Sequence, residues 1–408
     1  MAPLGAEPSA TTRQWQPGGC KKPVLGWFHR YPARFHIDAI REAFAFARKR
    51  LDAPPSLVLD PFSGTGATLA FARQAGIPSY GIELTPLGVL IAQVRLWPPR
   101  DLDAALQMVE QLASVRVTRQ VHRIAPDLVS WIGKANARSL AYLIEKAQEV
   151  ADARLRRWLM LTISSSLRPC SVWLSGSIKP QIDPNRAPSP LGEHLVRAAR
   201  QLKRDCENEL RAHVRTVRAT IVRGDARQVA LPDEAVDAVI TSPPYECMYD
   251  YFDVHRLTYL AFGWKQERER QIGCSAKIAP DGVAFTPPQL MESWYVKEFR
   301  REETIDGRAL RHYFDGMNTH FAEMRRVVRK GGVLVYALAD SMRRGKRFAL
   351  VEAVAEQMKA ADFGHIRIKY RETSNQRILP SRRDVSTGRF SSKGRAVEIE
   401  EALVSARA

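Results

Sequence analysis

The feature that most limits how this chain can fold is a glycine turn set between a strand and a helix in its first quarter. Leu57-Val58-Leu59 is a short apolar run, Asp60-Pro61-Phe62-Ser63-Gly64-Thr65-Gly66 follows as a turn, and Ala67 to Ala75 has helix-forming composition that Gly76 ends. A second strand is expected around Ile77 to Ile82, closing on Gly81-Ile82-Glu83. Strand, helix and strand in this order make one βαβ unit. Upstream, Ile37 to Arg50 carries apolar residues at helical spacing, and Pro54 and Pro55 stop it.

Strand character returns beyond residue 215 in ATIVRGD at 219–225 and again in AVDAVITSPPY at 235–245. The segment VVRKGGVLVYALADS at 327–341 reads as a helix end, a glycine turn and a buried strand. Strands alternating with helices around glycine turns predict an α/β fold with a doubly wound, mostly parallel sheet. Between the two halves, residues 101–215 read as long helices interrupted by SSSLRPCSVWLSGSIKPQIDPNRAPSP, too rich in Pro and Ser to be regular, and are expected to form a helical insertion. Residues 1–23 read as a flexible arm, with structure beginning near Trp27, and 366–408 as a basic C-terminal segment. The division is therefore 1–23, 24–100, 101–215, 216–365 and 366–408.

The turn has the makings of a nucleotide-type site. Glycines let backbone approach a ligand, and Glu83, 23 positions after Asp60 at the tip of the second strand, is placed to accept hydrogen bonds from ribose hydroxyls. An NAD site competes for this pattern, but the position that should be the small third residue is Leu69, and an adenosine ligand carrying a sulfonium suits the turn better. The second constellation is Thr241-Ser242-Pro243-Pro244-Tyr245 after the strand Val236 to Ile240. Two prolines fix the backbone at a strand end. The result is a rigid set of acceptors with an aromatic beside it, suited to holding an exocyclic amino group while its base stacks on the ring.

Together these stretches resemble the amino-group DNA methyltransferases that use S-adenosylmethionine. DPFSGTG looks like their cofactor loop, TSPPY like their catalytic motif in the form most often seen in the cytosine-N4 branch, HRYPARF at 29–35 like their N-terminal cofactor element, and Gly224-Asp225-Ala226 like the acid that meets the adenine ring. YDYFDVHRLTYLAFGW and RKGGVLVYALADS resemble later core elements, so the resemblance covers roughly half the chain. It implies a Rossmann-like sheet of the class I methyltransferase type. Residues 24–100 would be the cofactor-binding part and 216–365 the catalytic part, with S-adenosylmethionine as cofactor and no metal. By the same resemblance Phe62, Gly64 and Gly66 would line the cofactor, with Asp60 in the same loop, Glu83 would hold the ribose, and Asp225 with Ala226 would meet the adenine. Tyr31 and Phe35 would cover the ligand, and Ser242, Pro243, Pro244 and Tyr245 would carry the chemistry. The insertion falls before Gly224-Asp225, unlike the family's usual arrangements. The target-recognition region is thus open among the insertion, the loop at about 264–310 and the C-terminal stretch.

Charge is consistent with this expectation. Lys plus Arg number 62 against 44 Asp plus Glu, a formal net charge of +18, which points to a polyanionic partner, double-stranded DNA first. The stretch Ile366 to Arg395 carries nine basic and two acidic residues, and the insertion 18 basic and 12 acidic. Five cysteines without a Cys-x-x-Cys pair fit a reducing cytoplasm and no zinc, and no apolar run approaches the roughly 20 residues of a membrane span. A cytosine-C5 enzyme would need a cysteine nucleophile, and the Pro169-Cys170 pair lies in the irregular part of the insertion. A cognate restriction endonuclease is an expected partner. An adenine-N6 DNA methyltransferase, an RNA base methyltransferase and a non-catalytic DNA-binding protein are the rival readings.

Overall fold

The computed structural model describes residues 25–32, 35–117, 124–211, 217–246, 250–273, 305–343, 346–371 and 401–408, with two short strands at 382–383 and 395–396. Seven strands form one sheet: β1 (Val58–Asp60), β2 (Ser79–Glu83), β3 (Ala219–Arg223), β4 (Val236–Thr241), β5 (Val328–Ala339), β6 (Gly364–Arg371) and β7 (Glu401–Arg407), in the order β3-β2-β1-β4-β5-β7-β6. The first five are mutually parallel, and β7 runs antiparallel to both of its neighbours. The sheet is therefore mixed but mostly parallel, with its strand order reversing between β1 and β4.

Sequence explains the layering. Parallel central strands are covered on both faces and read as continuous apolar runs, and all six residues of β4 are buried. Successive side chains alternate between the two faces. Val58, Ala238, Ile240, Val333, Val335 and Ala337 share a core with helices α1 (Ile37–Arg48) and α2 (Ala67–Gln74). Leu59, Val239, Leu334, Tyr336 and Leu338 share the other with α10 (Ile305–Val327) and α11 (Leu350–Ala360). Between β2 and β3 lie α3 (Pro86–Leu96) and the insertion helices α4 (Leu102–Ser114), α5 (Pro126–Glu149), α6 (Ala153–Cys170) and α7 (Leu191–Arg211). These have their own apolar core around Trp158, Leu161 and Leu202, joined by Phe28 and Tyr31 from the N-terminal side and by Leu257 of α9 (Arg256–Phe262). The short helix α8 (Tyr251–Val254) precedes α9.

A buried ion pair ties the insertion to the glycine turn. Arg95 on α3 donates through Nε to Glu209 on α7 at 3.1 Å, through Nη1 to the Thr65 carbonyl at 2.6 Å, and through Nη2 to the Gly26 carbonyl at 2.8 Å. The Gly26 N–H donates back to Glu209 at 2.8 Å, and the guanidinium lies 4.6 Å from the Phe28 ring centre. One cation thus fixes the glycine turn, the insertion and the N-terminal segment together.

Two elements differ from the sequence reading. The segment set apart as a basic C-terminal piece contains β6 and β7, and β7 enters the interior of the sheet between β5 and β6. Its run Ala402-Leu403-Val404-Ser405-Ala406 is buried on both faces, which is what a strand flanked on either side by others requires. Helix α6 also runs through Pro169 to Cys170, so that cysteine ends a regular helix. Burial pushes its thiol up to about 12, which removes the thiolate a nucleophile needs. The N-terminal arm, Cys20, Cys247, Cys274, residues 274–304 of the proposed recognition loop and most of the basic stretch 366–395 lie outside the described residues. Among the described residues no helix is long and apolar enough to cross a membrane.

Candidate functional site

The two motifs meet where the strand order reverses. In an open α/β sheet that reversal leaves a crevice at the carboxyl ends of the two central strands, the usual place for a ligand. Here those strands are β1 and β4, paired in parallel with Leu59 opposite Val239. The glycine turn leaves the end of β1 and the Ser-Pro-Pro-Tyr segment leaves the end of β4. Thr241 Oγ1 donates to Asp60 Oδ1 at 2.5 Å, a hydrogen bond that joins the last residues of both strands. The Phe62 N–H donates to the same carboxylate at 3.1 Å. Burial pushes Asp60 up to about 6 in spite of these donors.

The turn is locked by short-range bonds. Ser63 donates its N–H to the Ile82 carbonyl at 2.9 Å and its hydroxyl to the Asp60 carbonyl at 2.7 Å. Gly66 sits at φ +74°, where a side-chain carbon would come 2.8 Å from Ala92 Cβ, so no other residue fits between turn and α3. Gly64, at φ +48°, points its N–H at Glu83 Oε2, 3.0 Å away. The other Glu83 oxygen accepts from the Thr85 N–H at 2.7 Å and hydroxyl at 2.5 Å. Glu83 is 8% exposed, and burial pushes it up to about 7 against the pull of those three donors, with Asp60 adding a smaller upward push. Asp60 and Glu83 are thus two buried acids held by hydroxyls and N–H groups.

Aromatic residues close the site from the N-terminal side. A side-chain carbon on Gly64 would lie 3.7 Å from the Tyr31 ring, so Tyr31 stands directly over the turn. Its ring stacks on Tyr251 at 5.4 Å and on His255 at 5.2 Å, both from the segment after the Ser-Pro-Pro-Tyr motif. Burial and the nearby Glu83 push its phenol well up. Phe35 goes elsewhere: it packs against the core of α1, β4 and β5. His36 begins α1 by accepting the Asp38 N–H, a capping role.

Asp225 and Ala226 follow β3, two strands away from β1. Both Asp225 oxygens face the Arg227 guanidinium, at 2.9 and 2.7 Å, and although burial opposes it this pairing holds the carboxyl below its ordinary range. Oδ1 also accepts the Arg227 backbone N–H at 3.0 Å, so Oδ2 is the oxygen that keeps a lone pair for a ligand. The Ala226 carbonyl is 2.9 Å from His320 Nδ1, whose Nε2 is 2.6 Å from the Tyr336 hydroxyl. The His320 ring lies 4.7 Å from Phe62. Burial pulls His320 down to about 4, so the neutral ring donates from Nδ1 and accepts at Nε2. It links the β3 end, the glycine turn and β5, and sequence reasoning missed it. Its signal is faint: a histidine inside the apolar stripe Tyr313, Met317, Phe321, Met324 of α10.

The motif itself runs from fully buried to half-exposed. Thr241 and Pro243 are buried, whereas Ser242, Pro244 and Tyr245 are partly open. Tyr245 and Phe62 pack on the same apolar cluster, so an aromatic from each loop borders one crevice. Among the described residues the Ser242 hydroxyl has no hydrogen-bond partner, leaving it available to a ligand.

The chain is similar to Type II methyltransferases. It is 36% identical over 75 residues to M.AvaI of Nostoc sp. and equally to M.AvaI of Anabaena variabilis, a match covering 18% of this chain and 14% of theirs. To M.BsoBI of Geobacillus stearothermophilus it is 23% identical over 259 residues, which is 54% of this chain and 50% of that protein. The chain thus spans half or less of the curated relatives it matches. No family model matches it. Among solved structures, that of the cyclase SpnF covers 94% of this chain and 88% of its own at 13% identity and a TM-score of 0.34.

Chemically the crevice offers one buried acid beside the glycine turn, a second joining the two strands, an aromatic lid and a half-open hydroxyl next to prolines whose carbonyls are fixed in direction. Among the described residues no cluster of three or more His, Cys, Asp or Glu could hold a metal ion. Such a site can bind a hydroxyl-rich or cationic ligand and can accept hydrogen bonds from an amine.

Proposed function

We propose that the chain transfers a methyl group from S-adenosylmethionine to the exocyclic N4 amine of a cytosine flipped out of double-stranded DNA, as the modifying member of a restriction-modification pair. The observation that carries this reading is the Thr241–Asp60 bond. It brings the glycine turn and the Ser-Pro-Pro-Tyr motif to one crevice at the reversal point. The similarity to Type II methyltransferases supports it.

The residues present fit the cofactor. Glu83 is a buried carboxylate without an ion-pair partner among the described residues, and ribose hydroxyls would satisfy it. Gly64 leaves the turn bare of a side chain beneath Tyr31, where a nucleoside would lie with Phe62 beside it, and Gly66 lets the turn pack closely on α3. When bound, S-adenosylmethionine would supply an electrophilic methyl on a positively charged sulfur. Asp225 and Ala226 would face its adenine, with the acid already aimed by Arg227.

The protein's own work falls on the amine. A cytosine N4 nitrogen is a poor nucleophile because its lone pair is delocalised into the ring. The Ser242 hydroxyl and Pro243 carbonyl would accept hydrogen bonds from its two N–H groups, drawing the nitrogen toward a tetrahedral form and freeing the lone pair; as the N–C bond forms and the S–CH3 bond breaks, one N–H proton is released to solvent. Tyr245 would stack on the extruded base. Pro243 and Pro244 hold the acceptors in place before substrate arrives, so little reorganisation is needed during reaction. Most of the rate then comes from positioning.

The test is a methyl-transfer assay with tritiated cofactor and duplex DNA. The wild-type chain should label DNA, Ser242→Ala should lower kcat by about 10² or more, and Tyr245→Ala should act mainly on DNA-dependent steps while cofactor affinity is kept. Undiminished transfer by both variants would remove these residues from the chemistry.

A further inference from the structure

On the far side of the Tyr31–His255 stack lies a cavity of about 680 Å3, enclosed by the N-terminal segment, α6, α7 and the start of α9. Its wall carries Arg30, Arg168, Arg186, Arg197 and Arg204, against a single carboxylate, Asp205. Asp205 is itself occupied, accepting from the Phe28 N–H at 3.0 Å and from Gln201 at 3.1 Å. Arg186 is held by the Trp173 and Pro169 carbonyls, at 3.0 and 2.6 Å, and Arg168 by the Ser177 carbonyl while lying 4.4 Å over the Trp173 ring. Carbonyls orient a guanidinium but leave its charge in place. Among the described residues none of the five arginines has a carboxylate within ion-pair distance. Burial and the charges of Arg30 and Arg186 pull Arg168 down to about 10, the mark of cations crowded without counter-ions. At the rim Trp27 is 54% exposed, and two lining residues, Ser165 and the buried His255, keep polar side-chain atoms without a partner among the described residues.

Five uncompensated cations around a space of nucleotide size, with a tryptophan at the mouth, are a phosphate site with a stacking platform. We propose that this cavity is a second nucleotide pocket, taking one phosphodiester or phosphomonoester with its base, separate from the crevice where the methyl group is transferred. The inference rests on the DNA-methyltransferase reading for its preferred source, a nucleotide of the bound strand next to the flipped base, because His255 lines the cavity and stacks on Tyr31, which stands over the glycine turn. A free mononucleotide has the same chemistry.

The full chain is tested with dCMP, followed by tryptophan fluorescence, and with a labelled 24-mer duplex, using Arg30→Gln/Arg197→Gln and Trp27→Ala. Both arginines are exposed, so the double variant keeps the fold, and cofactor affinity should not change in either variant. If the strand is the source, the arginine pair weakens duplex binding by about tenfold or more and flattens the slope of log affinity against log salt by about 2. If a free nucleotide is the source, dCMP quenches the wild-type fluorescence, and both variants lose that binding while duplex affinity holds. Unchanged duplex affinity and salt slope, together with no dCMP binding by the wild type, would overturn the pocket. Methyl transfer by the wild type is scored separately, so loss of the pocket and loss of the methyltransferase reading give different results.

Discussion

The two chambers that share the Tyr31–His255 wall hold opposite charge by opposite means. On one side Asp60 and Glu83 are acids pushed upward by burial and calmed by hydroxyls and N–H groups. On the other, arginines are aimed by backbone carbonyls and left without carboxylates. Burying an acid without a counter-ion is costly; across the wall Arg168 and Arg186 are partly buried and Arg30, Arg197 and Arg204 exposed, so both sides can take ligands that bring the missing charge. Of the net +18, the insertion carries a surplus of +6 and the stretch Ile366 to Arg395 one of +7, both outside the glycine turn.

The strut between the chambers should show the largest effect. Arg95 and Glu209 are each only 1% exposed, and burial pushes Glu209 up to about 7 although Arg95 pulls against it, so the attraction does not fully offset desolvation. Breaking the pair with Arg95→Ala should lower stability by about 3–5 kcal/mol, read by urea denaturation. Arg95→Met with Glu209→Leu should recover most of that loss. Equal instability of the single and double variants would mean that the strut acts through the Thr65 and Gly26 carbonyls alone.

Glu83→Gln separates the chambers next. Removing a charged hydrogen-bond partner of the ribose should weaken S-adenosylmethionine about 10- to 100-fold in calorimetry, with dCMP binding in the basic cavity unaltered. A loss in both would mean that the wall does not insulate them.

The acidic chamber also predicts a pH dependence. Asp60, Glu83 and Glu209 are near 6, 7 and 7 when folded, against ordinary values of 3.8 and 4.5. Between those limits the folded chain holds more protons than the unfolded one, so these acids favour folding at low pH and lose that contribution as pH rises through about 4 to 7. Asp225 and Asp237, held low in spite of burial by Arg227 and by Ser56 with Arg329, act the other way and lose theirs as pH falls toward their lowered values. His320, pulled down to about 4 by burial, opposes the acids in this window, since its contribution grows as pH rises toward 6.5. The wild-type urea midpoint measured against that of Glu83→Gln should therefore fall from pH 5 to pH 7, because the variant lacks the Glu83 share. The smallest effect belongs to the rim: Arg197→Gln should change stability by no more than about 0.5 kcal/mol while weakening DNA.

Much of the acidic chamber was legible in the sequence because its parts are local. Turn, helix and acid lie within 24 residues of chain, and each obeys a short-range rule of glycine geometry or periodicity. The basic cavity was not, since its arginines come from the N-terminal segment, α6, α7 and the loop between them, and only tertiary packing of the insertion gathers them. Strand β7 escaped for another reason. Ala402-Leu403-Val404 is a short apolar run that periodicity cannot divide between helix and strand, and its place in the sheet depends on β5 and β6, tens of residues away. Arg95 and His320 sit in otherwise apolar helical stripes, where a polar residue's partner is invisible until the sheet is assembled.

The central claim is that a methyl group moves to an exocyclic amine at the β1–β4 crevice, and nucleoside mass spectrometry tests it most directly. A duplex incubated with the protein and methyl-deuterated S-adenosylmethionine, then digested, should contain labelled N4-methylcytosine, and Ser242→Ala should leave almost none. Label on cytosine C5 or on adenine N6, or undiminished N4 label from Ser242→Ala, would contradict the account.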